Sequence, residues 1–334
     1  MSDTMRSWRL TAFGELANLQ LKEIPKPVPE AGEALVRLEF AALNPADRFL
    51  VEGLYPTNRK PPFAVGRDGC GVVEKSSGRF REGDRVVVLR SDVGVSREGT
   101  LAEFVTVPEE SLAPLPDGWS SEEGAAGPLV LLTAWQALVD EGELKGGQTV
   151  LVTGASGGVG IAAVILAKAL GACVVALSRS ETKRAALRKL GADVALDSEH
   201  PDLPEAIKQS IDGGRIDVVV ENLGGDYIKH SLEALAPHGR ICLVGLLAGR
   251  TAEIPVGLML FKRARVVGVH VGDYTAEQSA LAWRRLVEAL AKAGARPIVD
   301  RVFDLEEVPD AFAHLDSGPM GKVLIRAARG GSRD

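Results

Sequence analysis

Residues 149–160 of this chain read Thr-Val-Leu-Val-Thr-Gly-Ala-Ser-Gly-Gly-Val-Gly. The first four are apolar or β-branched, which predicts a buried strand. Glycines at 154, 157, 158 and 160 predict a tight turn, and the apolar pattern from Ile161 to Leu170 predicts a helix. A glycine turn between a strand and a helix lets backbone N–H groups approach a pyrophosphate at the positive end of the helix. Because a glycine pattern alone is weak evidence, the prediction depends on the strand before it and the helix after it.

Strands and helices alternate from about residue 128 to residue 274. The expected strands are 149–152, 173–177, 193–196, 217–221, 240–244 and 266–271, and the expected helices are 128–141, 158–170, 181–190, 203–210 and 227–235. Val218-Val219-Val220 is apolar throughout, as is typical of a parallel strand covered on both faces. This alternation predicts a doubly wound α/β domain with a Rossmann-type parallel sheet over residues 128–274.

Residues 1–127 instead contain short β-prone runs separated by glycine, proline and aspartate turns. The runs are 34–40, 71–74, 84–89 and 102–107, and the proline-containing stretch 52–64 is expected to be a surface loop at a cleft. After residue 274 we expect an amphipathic helix over 276–293, a strand, a short helix, a final strand over 322–326 and a frayed tail at 329–334. We interpret residues 1–127 and 275–334 as one β-rich domain.

Composition disfavours several classes of function. The 334 residues are 46% hydrophobic and 25% charged, as in ordinary globular proteins, and a net charge of −6 gives no support to a nucleic-acid partner. Three widely spaced cysteines, at 70, 173 and 242, argue against a disulfide framework and favour a reducing compartment. We expect a cytoplasmic protein without a membrane partner, because neither a signal peptide nor a membrane-spanning apolar stretch is visible.

The residues after the second expected strand indicate which dinucleotide binds. Sites that prefer NAD place an Asp or Glu about 20 residues beyond the glycine turn, where the carboxylate holds the ribose 2′-hydroxyl. Here Ser178 lies 24 positions after Gly154, followed by Arg179 and, one turn later, by Lys183. A hydroxyl and two cations suit a 2′-phosphate, although an isolated surface arginine is more often only solvated. Their position relative to the glycine turn favours NADPH.

Further motifs follow one another along nearly the whole chain. They are Ala42-Leu43-Asn44-Pro45-Ala46-Asp47, Gly66-Arg67-Asp68-Gly69-Cys70-Gly71, Gly83-Asp84-Arg85-Val86, Leu132-Thr133-Ala134-Trp135, the glycine turn, Lys189-Leu190-Gly191-Ala192-Asp193, Asn222-Leu223-Gly224-Gly225 and Gly321-Lys322-Val323. In this order they resemble the medium-chain dehydrogenase/reductase superfamily, and most of all its zinc-independent quinone oxidoreductase and enoyl reductase branch. The resemblance implies an α/β fold with a Rossmann NADP-binding domain and a β-rich, GroES-like catalytic domain.

Zinc-dependent relatives hold a catalytic zinc with a Cys, a His and a second Cys or Asp. The matching positions here are Asn44, Arg67 and Asp68, and an amide is a poor zinc ligand while a guanidinium is none. Such relatives often carry four close cysteines around a structural zinc, whereas this chain has no cysteine between 70 and 173. Both zinc sites are therefore expected to be absent, and with them Lewis-acid catalysis.

Tyr55 and Asn44 are the candidate catalytic residues that the resemblance implies. Enoyl thioester reductases of the superfamily carry their catalytic tyrosine in the segment that matches Tyr55, and a phenol donates a proton to an enolate. The alternative is a loop tyrosine that only packs, and Phe49 stands where some quinone oxidoreductases carry another tyrosine. Asn44 is expected to hydrogen-bond the nicotinamide ribose or the substrate, or else to be a turn residue. Asp47 is expected to cap a helix or to bind an arginine.

Candidate cofactor-binding residues come from the glycine turn, from the ends of the following strands and from the resemblance. The segment after the fifth strand offers its backbone to the carboxamide, and a histidine ends the last strand near the expected nicotinamide, because these strand ends line the ligand crevice. The full set is Thr133, Gly154, Ala155, Ser156, Gly157, Gly158, Val159, Gly160, Ser178, Arg179, Lys183, Asn222, Gly245, Leu246, Leu247, His270 and Lys322.

These features predict a zinc-independent, NADPH-dependent oxidoreductase that transfers hydride to a quinone or an α,β-unsaturated carbonyl compound. One alternative is an enoyl- or acryloyl-CoA reductase, in which Arg59, Lys60 or Lys262 receives the substrate's phosphates. Others are a non-catalytic NADPH-binding protein, like some lens crystallins, and a zinc alcohol dehydrogenase. In relatives the strand matching Arg265–Val271 pairs across a two-fold axis, so a homodimer is expected.

Overall fold

The computed structural model describes residues 3–89 and 92–327, and the statements below concern these residues. The tail at 329–334 lies outside them. Contacts divide the chain into two compact units, which we call the first and second units. The first comprises Met1–Leu129, Tyr274–Leu281 and Pro297–Asp334, and the second comprises Val130–Asp273 and Ala282–Arg296.

The elements up to residue 126 are mostly short strands. In chain order they are β1 (Thr4–Leu10), β2 (Leu19–Pro25), β3 (Glu33–Ala42), α1 (Pro45–Val51), β4 (Phe63–Ala64), β5 (Asp68–Ser76), β6 (Arg85–Val88), β7 (Phe104–Pro108), β8 (Leu112–Pro114) and α2 (Ser121–Ala126). The sequence did not predict β1, β2, β4, β8 or α2. In β1 the buried Trp8 and Leu10 belong to one hydrophobic core cluster and are separated by the polar Arg9.

The middle of the chain alternates strands and helices as predicted. The elements are α3 (Pro128–Trp135), β9 (Thr149–Val152), α4 (Gly158–Ala169), β10 (Cys173–Leu177), α5 (Glu181–Lys189), β11 (Val194–Leu196), α6 (Leu203–Gln209), β12 (Ile216–Glu221), α7 (Tyr227–Ala234), β13 (Leu235–Leu243), α8 (Val256–Lys262) and β14 (Arg265–Gly268). The last part of the chain adds α9 (Ala276–Ala293), β15 (Val299–Asp304), α10 (Val308–Asp316) and β16 (Lys322–Arg326).

The sheet of the second unit contains six parallel strands among the described residues, in the order β11-β10-β9-β12-β13-β14. Counted along the chain this is 3-2-1-4-5-6, the strand order of dinucleotide-binding sheets, so the predicted fold is confirmed. Val218, Val219 and Val220 are buried, because the central strand is covered on both faces. β14 forms one edge of the sheet.

The sheets of the first unit bring distant parts of the chain together. In the larger sheet the strand order is β15-β16-β3-β5-β6-β8, with β7 also paired to β3, and β2-β1-β4 form a smaller sheet. The end of β3 lies between its two neighbours, because Ala42 pairs with Asp68 of β5 and with Leu324 of β16. This register places Asn44, which follows β3, beside Asp68 and Lys322.

Where an element was expected, the structure differs from it mainly at the ends. The predicted helix 128–141 is α-helical only to Trp135 and continues as a π-helical turn over Gln136–Asp140. The predicted strand 266–271 ends at Gly268, and a 3-10 turn covers Val271–Asp273. Contacts also assign Ala282–Arg296 of the predicted substrate domain to the second unit. None of the helices in 3–89 and 92–327 combines the length and apolarity that a membrane span requires.

Candidate functional site

A buried group of charged and polar side chains lies at the end of β3 in the first unit. Asn44, Asp47, Asp68 and Lys322 are each at most 4% exposed, and the Arg67 side chain is 12% exposed. We call these five residues the polar cluster. Buried charges persist in folded proteins when they are paired, so the cluster is held together by its own contacts.

Lys322 lies at the centre of one half of the cluster. Its ammonium Nζ donates to Asn44 Oδ1 at 2.6 Å and to Asp68 Oδ2 at 3.0 Å. Asn44 Nδ2 donates to the same Asp68 oxygen at 2.9 Å, and Asp68 Oδ1 accepts from the backbone N–H of Leu129 at 2.9 Å. Asn44 is therefore held by two charged partners, which orients its amide.

Arg67 joins the other half of the cluster to Tyr55. Its Nη1 donates to Tyr55 Oη at 3.1 Å, and its guanidinium carbon lies 4.1 Å from the centre of the Tyr55 ring. Its Nε lies 3.8 Å from Asp47 Oδ1. Arg67 Nε and Nη2 and Asp47 Oδ1 are buried without a hydrogen-bond partner in the structure. A guanidinium in this position holds the phenol by stacking and by a hydrogen bond.

Asp47 is the group whose protonation is most affected by this environment. Its Oδ2 accepts from the backbone N–H of Asn44 at 2.8 Å, as expected for a residue at the start of α1. Burial raises the pKa of Asp47 to about 6, and the charges of Arg67 and Lys322 only partly oppose this effect. The carboxyl therefore gains its proton in mildly acidic solution.

Replacement of Asp47 by asparagine should remove a pH dependence of stability. The pKa of Asp47 is raised from 3.8 to about 6 on folding, so the folded state binds more protons between these values. The stability from this carboxyl is fully present below about pH 4 and is lost as pH rises through about 6. From about pH 5 to about pH 7.5, the wild-type free energy of unfolding should fall by about 1.4 kcal/mol relative to Asp47→Asn. Urea denaturation measures both proteins, and equal pH slopes would contradict this result.

The polar cluster does not fit zinc. Two of its five members are cations, and the Asn44 and Asp68 oxygens already accept from the Lys322 ammonium. Within the described ranges no group of three or more His, Cys, Asp and Glu is placed to hold a metal ion. Cys70, Cys173 and Cys242 are free thiols, and burial raises the pKa of Cys70 and of Cys242 to about 12.

The glycine turn of the second unit leads from β9 into α4. Gly154 has a φ of 54°, a left-handed conformation that favours glycine. A Cβ on Gly160 would lie 2.4 Å from the Gly154 carbonyl oxygen, so only glycine lets the helix pack this closely on the turn. The residues from Gly154 to Gly160 thus form a compact backbone cradle that fits a pyrophosphate.

A buried carboxylate beside the turn was missed by the sequence analysis. Glu221 ends β12, is fully buried, and accepts from Thr153 Oγ1 at 2.6 Å and from Ser231 Oγ at 2.9 Å. It also accepts from the backbone N–H groups of residues 223 and 224, which orders the loop after β12. Burial raises the pKa of Glu221. Next to it, Asn222 Nδ2 donates to Thr153 O at 2.8 Å, and Asn222 Oδ1 is buried without a partner in the structure.

The loop after β10 contains the predicted nucleotide-selecting residues. Ser178 is buried, whereas the Arg179 side chain is 77% exposed and lies 3.9 Å from Glu199. Arg184 is 3.1 Å from Asp197. Spacing after the glycine turn places Ser178, and not an Asp or Glu, where sites that prefer NAD carry their acid. The structure adds two acids from the segment after β11, because Glu199 lies near Arg179 of this loop and Asp197 lies near Arg184.

The remaining candidates occupy varied environments. Leu246 and Leu247 are exposed after β13, and His270 Nδ1 lies 3.0 Å from Asp273 Oδ1. Thr133 is buried on α3. Lys322 belongs to the first unit and not to the nucleotide turn.

Two cations that were considered as phosphate receptors have other partners. Lys262 Nζ donates to three backbone carbonyls at the end of α7, at 2.7, 2.9 and 2.7 Å. Burial lowers the pKa of Lys262. Arg59 pairs with Glu98 and lies 5.0 Å from the Phe63 ring centre. Both side chains therefore have structural roles.

Comparison with known proteins identifies the family. Residues 30–117 match the alcohol dehydrogenase GroES-like domain, and residues 158–292 match the zinc-binding dehydrogenase family. The quinone oxidoreductase-like protein 2 of Bos taurus is 32% identical, over 96% of this chain and 93% of its own length. The chain belongs to the medium-chain dehydrogenase/reductase superfamily, in its quinone oxidoreductase branch. It is an oxidoreductase.

Two solved structures of this superfamily are described with different nucleotides. An NAD-dependent alcohol dehydrogenase is 30% identical, with a TM-score of 0.88 over 97% of this chain and 100% of that one. A mycobacterial protein in complex with NADPH is 26% identical, with a TM-score of 0.86 over 96% of this chain and 99% of that one. Both superpose on nearly the whole of this chain. The same fold therefore occurs in a protein described as NAD-dependent and in one solved with NADPH.

Several residues at or beside the candidate site were not singled out from sequence. Glu221 had a usable signal, since it is an acid directly after three buried valines. Arg67 was noted only as a residue that does not bind zinc, and its contact with Tyr55 follows from the fold. The pairing of β10 with β11 places Asp197 beside the loop that Arg184 of α5 holds, and no spacing rule reports a strand pairing.

Proposed function

We propose that this protein is an NADPH-dependent, zinc-independent reductase of quinones or α,β-unsaturated carbonyl compounds. The observation that carries this proposal is the contact of Arg67, a member of the polar cluster, with Tyr55. The same cluster holds the Lys322 ammonium and does not fit zinc. A proton donor and two cations replace the metal in the first unit. The second unit has the backbone cradle for the dinucleotide.

The nucleotide would be held by groups of the second unit. The backbone from Gly154 to Gly160 would hold the pyrophosphate, and the buried Asn222 Oδ1 would accept from the cofactor. Arg179 and Lys183 would contact a 2′-phosphate, because the weak pair of Arg179 with Glu199 is easily broken in water. A bound NADPH supplies the hydride.

The chemistry assigned to the protein is proton delivery and charge stabilisation. Hydride addition to the acceptor leaves negative charge on its oxygen, and Tyr55 Oη then donates a proton to the reduced acceptor. The phenolate left on Tyr55 lies against the Arg67 guanidinium, which stabilises it until solvent returns the proton. Asn44, fixed by Lys322 and Asp68, would hydrogen-bond the nicotinamide ribose or the acceptor.

Among the alternatives, an acyl-CoA reductase lacks the support of Arg59 and Lys262, since both have protein partners. A zinc alcohol dehydrogenase requires a donor set that the polar cluster does not have. In a non-catalytic NADPH-binding protein the contacts of Tyr55 with Arg67 would be structural only.

A homodimer is also part of this proposal. Among residues 3–89 and 92–327, β14 pairs only with β13, and Val256, Leu260 and Phe261 of the preceding α8 are exposed. An apolar edge of this kind is protected when it pairs with a second copy across a two-fold axis. The mass in solution tests it.

Turnover by the purified protein tests the proposed function. NADPH should be oxidised in the presence of 9,10-phenanthrenequinone, 1,4-quinones or enones, with substoichiometric zinc by elemental analysis and with no effect of chelators. Preference for enoyl-CoA over these acceptors would favour the acyl-CoA alternative. NADPH binding without turnover of any acceptor would favour the non-catalytic alternative, and stoichiometric zinc would overturn the metal-free mechanism.

A further inference from the structure

The ends of β10 and β11 lie side by side in the second unit. Leu177 pairs with Leu196, and the N–H of Ser178 donates to Leu196 O at 3.1 Å. Ser178 and Asp197, the residues that follow these two strands, are therefore neighbours at the carboxyl edge of the sheet. In parallel sheets of this order that edge receives the nucleotide, and the end of the second strand meets the adenosine ribose.

Arg184 of α5 fixes the loop between β10 and α5. Its Nη1 donates to the carbonyl oxygens of Ser178 at 2.9 Å and Arg179 at 2.8 Å. The same nitrogen lies 3.1 Å from Asp197 Oδ2, and the side chain is only 15% exposed. Because Arg184 uses its charge on these partners, it has a structural role and does not face solvent as a receptor for phosphate.

Two carboxylates therefore face the loop that would receive a 2′-phosphate. Asp197 Oδ1 accepts from the backbone N–H of Glu199 at 3.0 Å, which fixes the aspartate side chain from both of its oxygens. Glu199 lies 3.9 Å from Arg179. A 2′-phosphate brings up to two negative charges close to these acids, whereas a 2′-hydroxyl brings none.

We propose that the Arg184–Asp197 pair adjusts nucleotide selection. Arg184 holds the loop backbone, and Asp197 lowers the preference of the protein for a nucleotide with a 2′-phosphate. This inference rests on the proposed dinucleotide function of the second unit. It implies that the protein accepts NADH alongside NADPH, because a fixed negative charge offsets part of the attraction of Arg179 and Lys183. Asp197 is a specificity residue, and Arg184 is a positioning residue.

Titration calorimetry on the full-length protein tests the proposal without turnover, because it measures the binding of 2′,5′-ADP and of 5′-AMP directly. Asp197→Asn should raise affinity for 2′,5′-ADP about five- to tenfold and leave 5′-AMP within about twofold, since only the former adds charge near residue 197. The gain should shrink at high salt, which screens exposed charges. Arg184→Lys keeps the charge but loses the planar fork, so both nucleotides should bind more weakly.

Asp193→Asn is the matched control. Asp193 also pairs with a cation, Lys168 at 2.6 Å, and accepts a backbone N–H, but it precedes β11 and lies at the opposite end of the strand. An unchanged affinity ratio in Asp197→Asn, or the same change in Asp193→Asn, overturns the proposal. If the wild-type protein binds neither nucleotide, the proposed dinucleotide function fails and this inference fails with it.

Discussion

Replacing Gly160 by alanine should destroy nucleotide binding and destabilise the second unit. The new Cβ would lie 2.4 Å from Gly154 O and 2.6 Å from Ala155 Cα, and both atoms are backbone. Backbone yields only by moving the turn or the helix, so we expect a loss of about 1–3 kcal/mol in the free energy of unfolding. Moving the cradle should also abolish NADPH binding, because its backbone N–H groups would no longer point at the pyrophosphate.

Gly157→Ala is the control for this effect. Its Cβ would lie 3.5 Å from the same carbonyl oxygen, an ordinary contact, and its φ of −77° is open to alanine. Denaturation and nucleotide titration are measured for both variants. They compare a methyl group that clashes with the backbone, at residue 160, with one that has room, at residue 157. Equal stabilities would show that close packing of α4 on the turn is not what requires glycine at 160.

Tyr55→Phe should lower kcat about 10²- to 10⁴-fold with a preferred acceptor, the range typical of a lost general acid. The variant keeps the ring that stacks on Arg67 and removes only the hydroxyl. Affinity for NADPH should not change, because the role proposed for the hydroxyl is proton transfer to the acceptor and not nucleotide binding. Steady-state kinetics together with a direct binding titration separates the two effects.

Tyr227→Phe serves as the comparison, measured at saturating nucleotide. Its hydroxyl donates to Ser198 O at 3.4 Å in the second unit, so kcat should be unaffected. If Tyr55→Phe leaves kcat unchanged, Tyr55 is not the acid and the contact with Arg67 is structural.

Local pattern was sufficient for much of the fold. Thr149–Val152, Cys173–Leu177, Ala276–Ala293 and Lys322–Arg326 have the bounds that the sequence predicts. These elements combine strong periodicity with glycine or proline at their ends, and both signals are local in the chain. β1 and α8 were missed, because a mixed polar strand and a short exposed helix give weak patterns.

Pattern was less informative about the candidate site. Tyr55 and Asn44 were singled out, but their partners Arg67, Asp68 and Lys322 meet them only through strand register. Spacing after the glycine turn shows only that position 178 is a serine and not an acid, and spacing does not report what an adjacent strand contributes. Asp197 lies 19 positions further along the chain yet faces the same loop.

The position of β16 in the larger sheet has a consequence for the order in which the protein is made. Asp68 and Asn44 receive their buried counter-charge from Lys322, 254 residues after Asp68. Until β16 leaves the ribosome, the amino-terminal segment lacks both that ammonium and the strand that pairs with the end of β3. The second unit, which includes Ala282–Arg296, is complete once residue 296 has emerged, before any residue of β16. We therefore expect the nucleotide unit to fold first during synthesis, and the larger sheet of the first unit to form only after residues 322–326 have emerged.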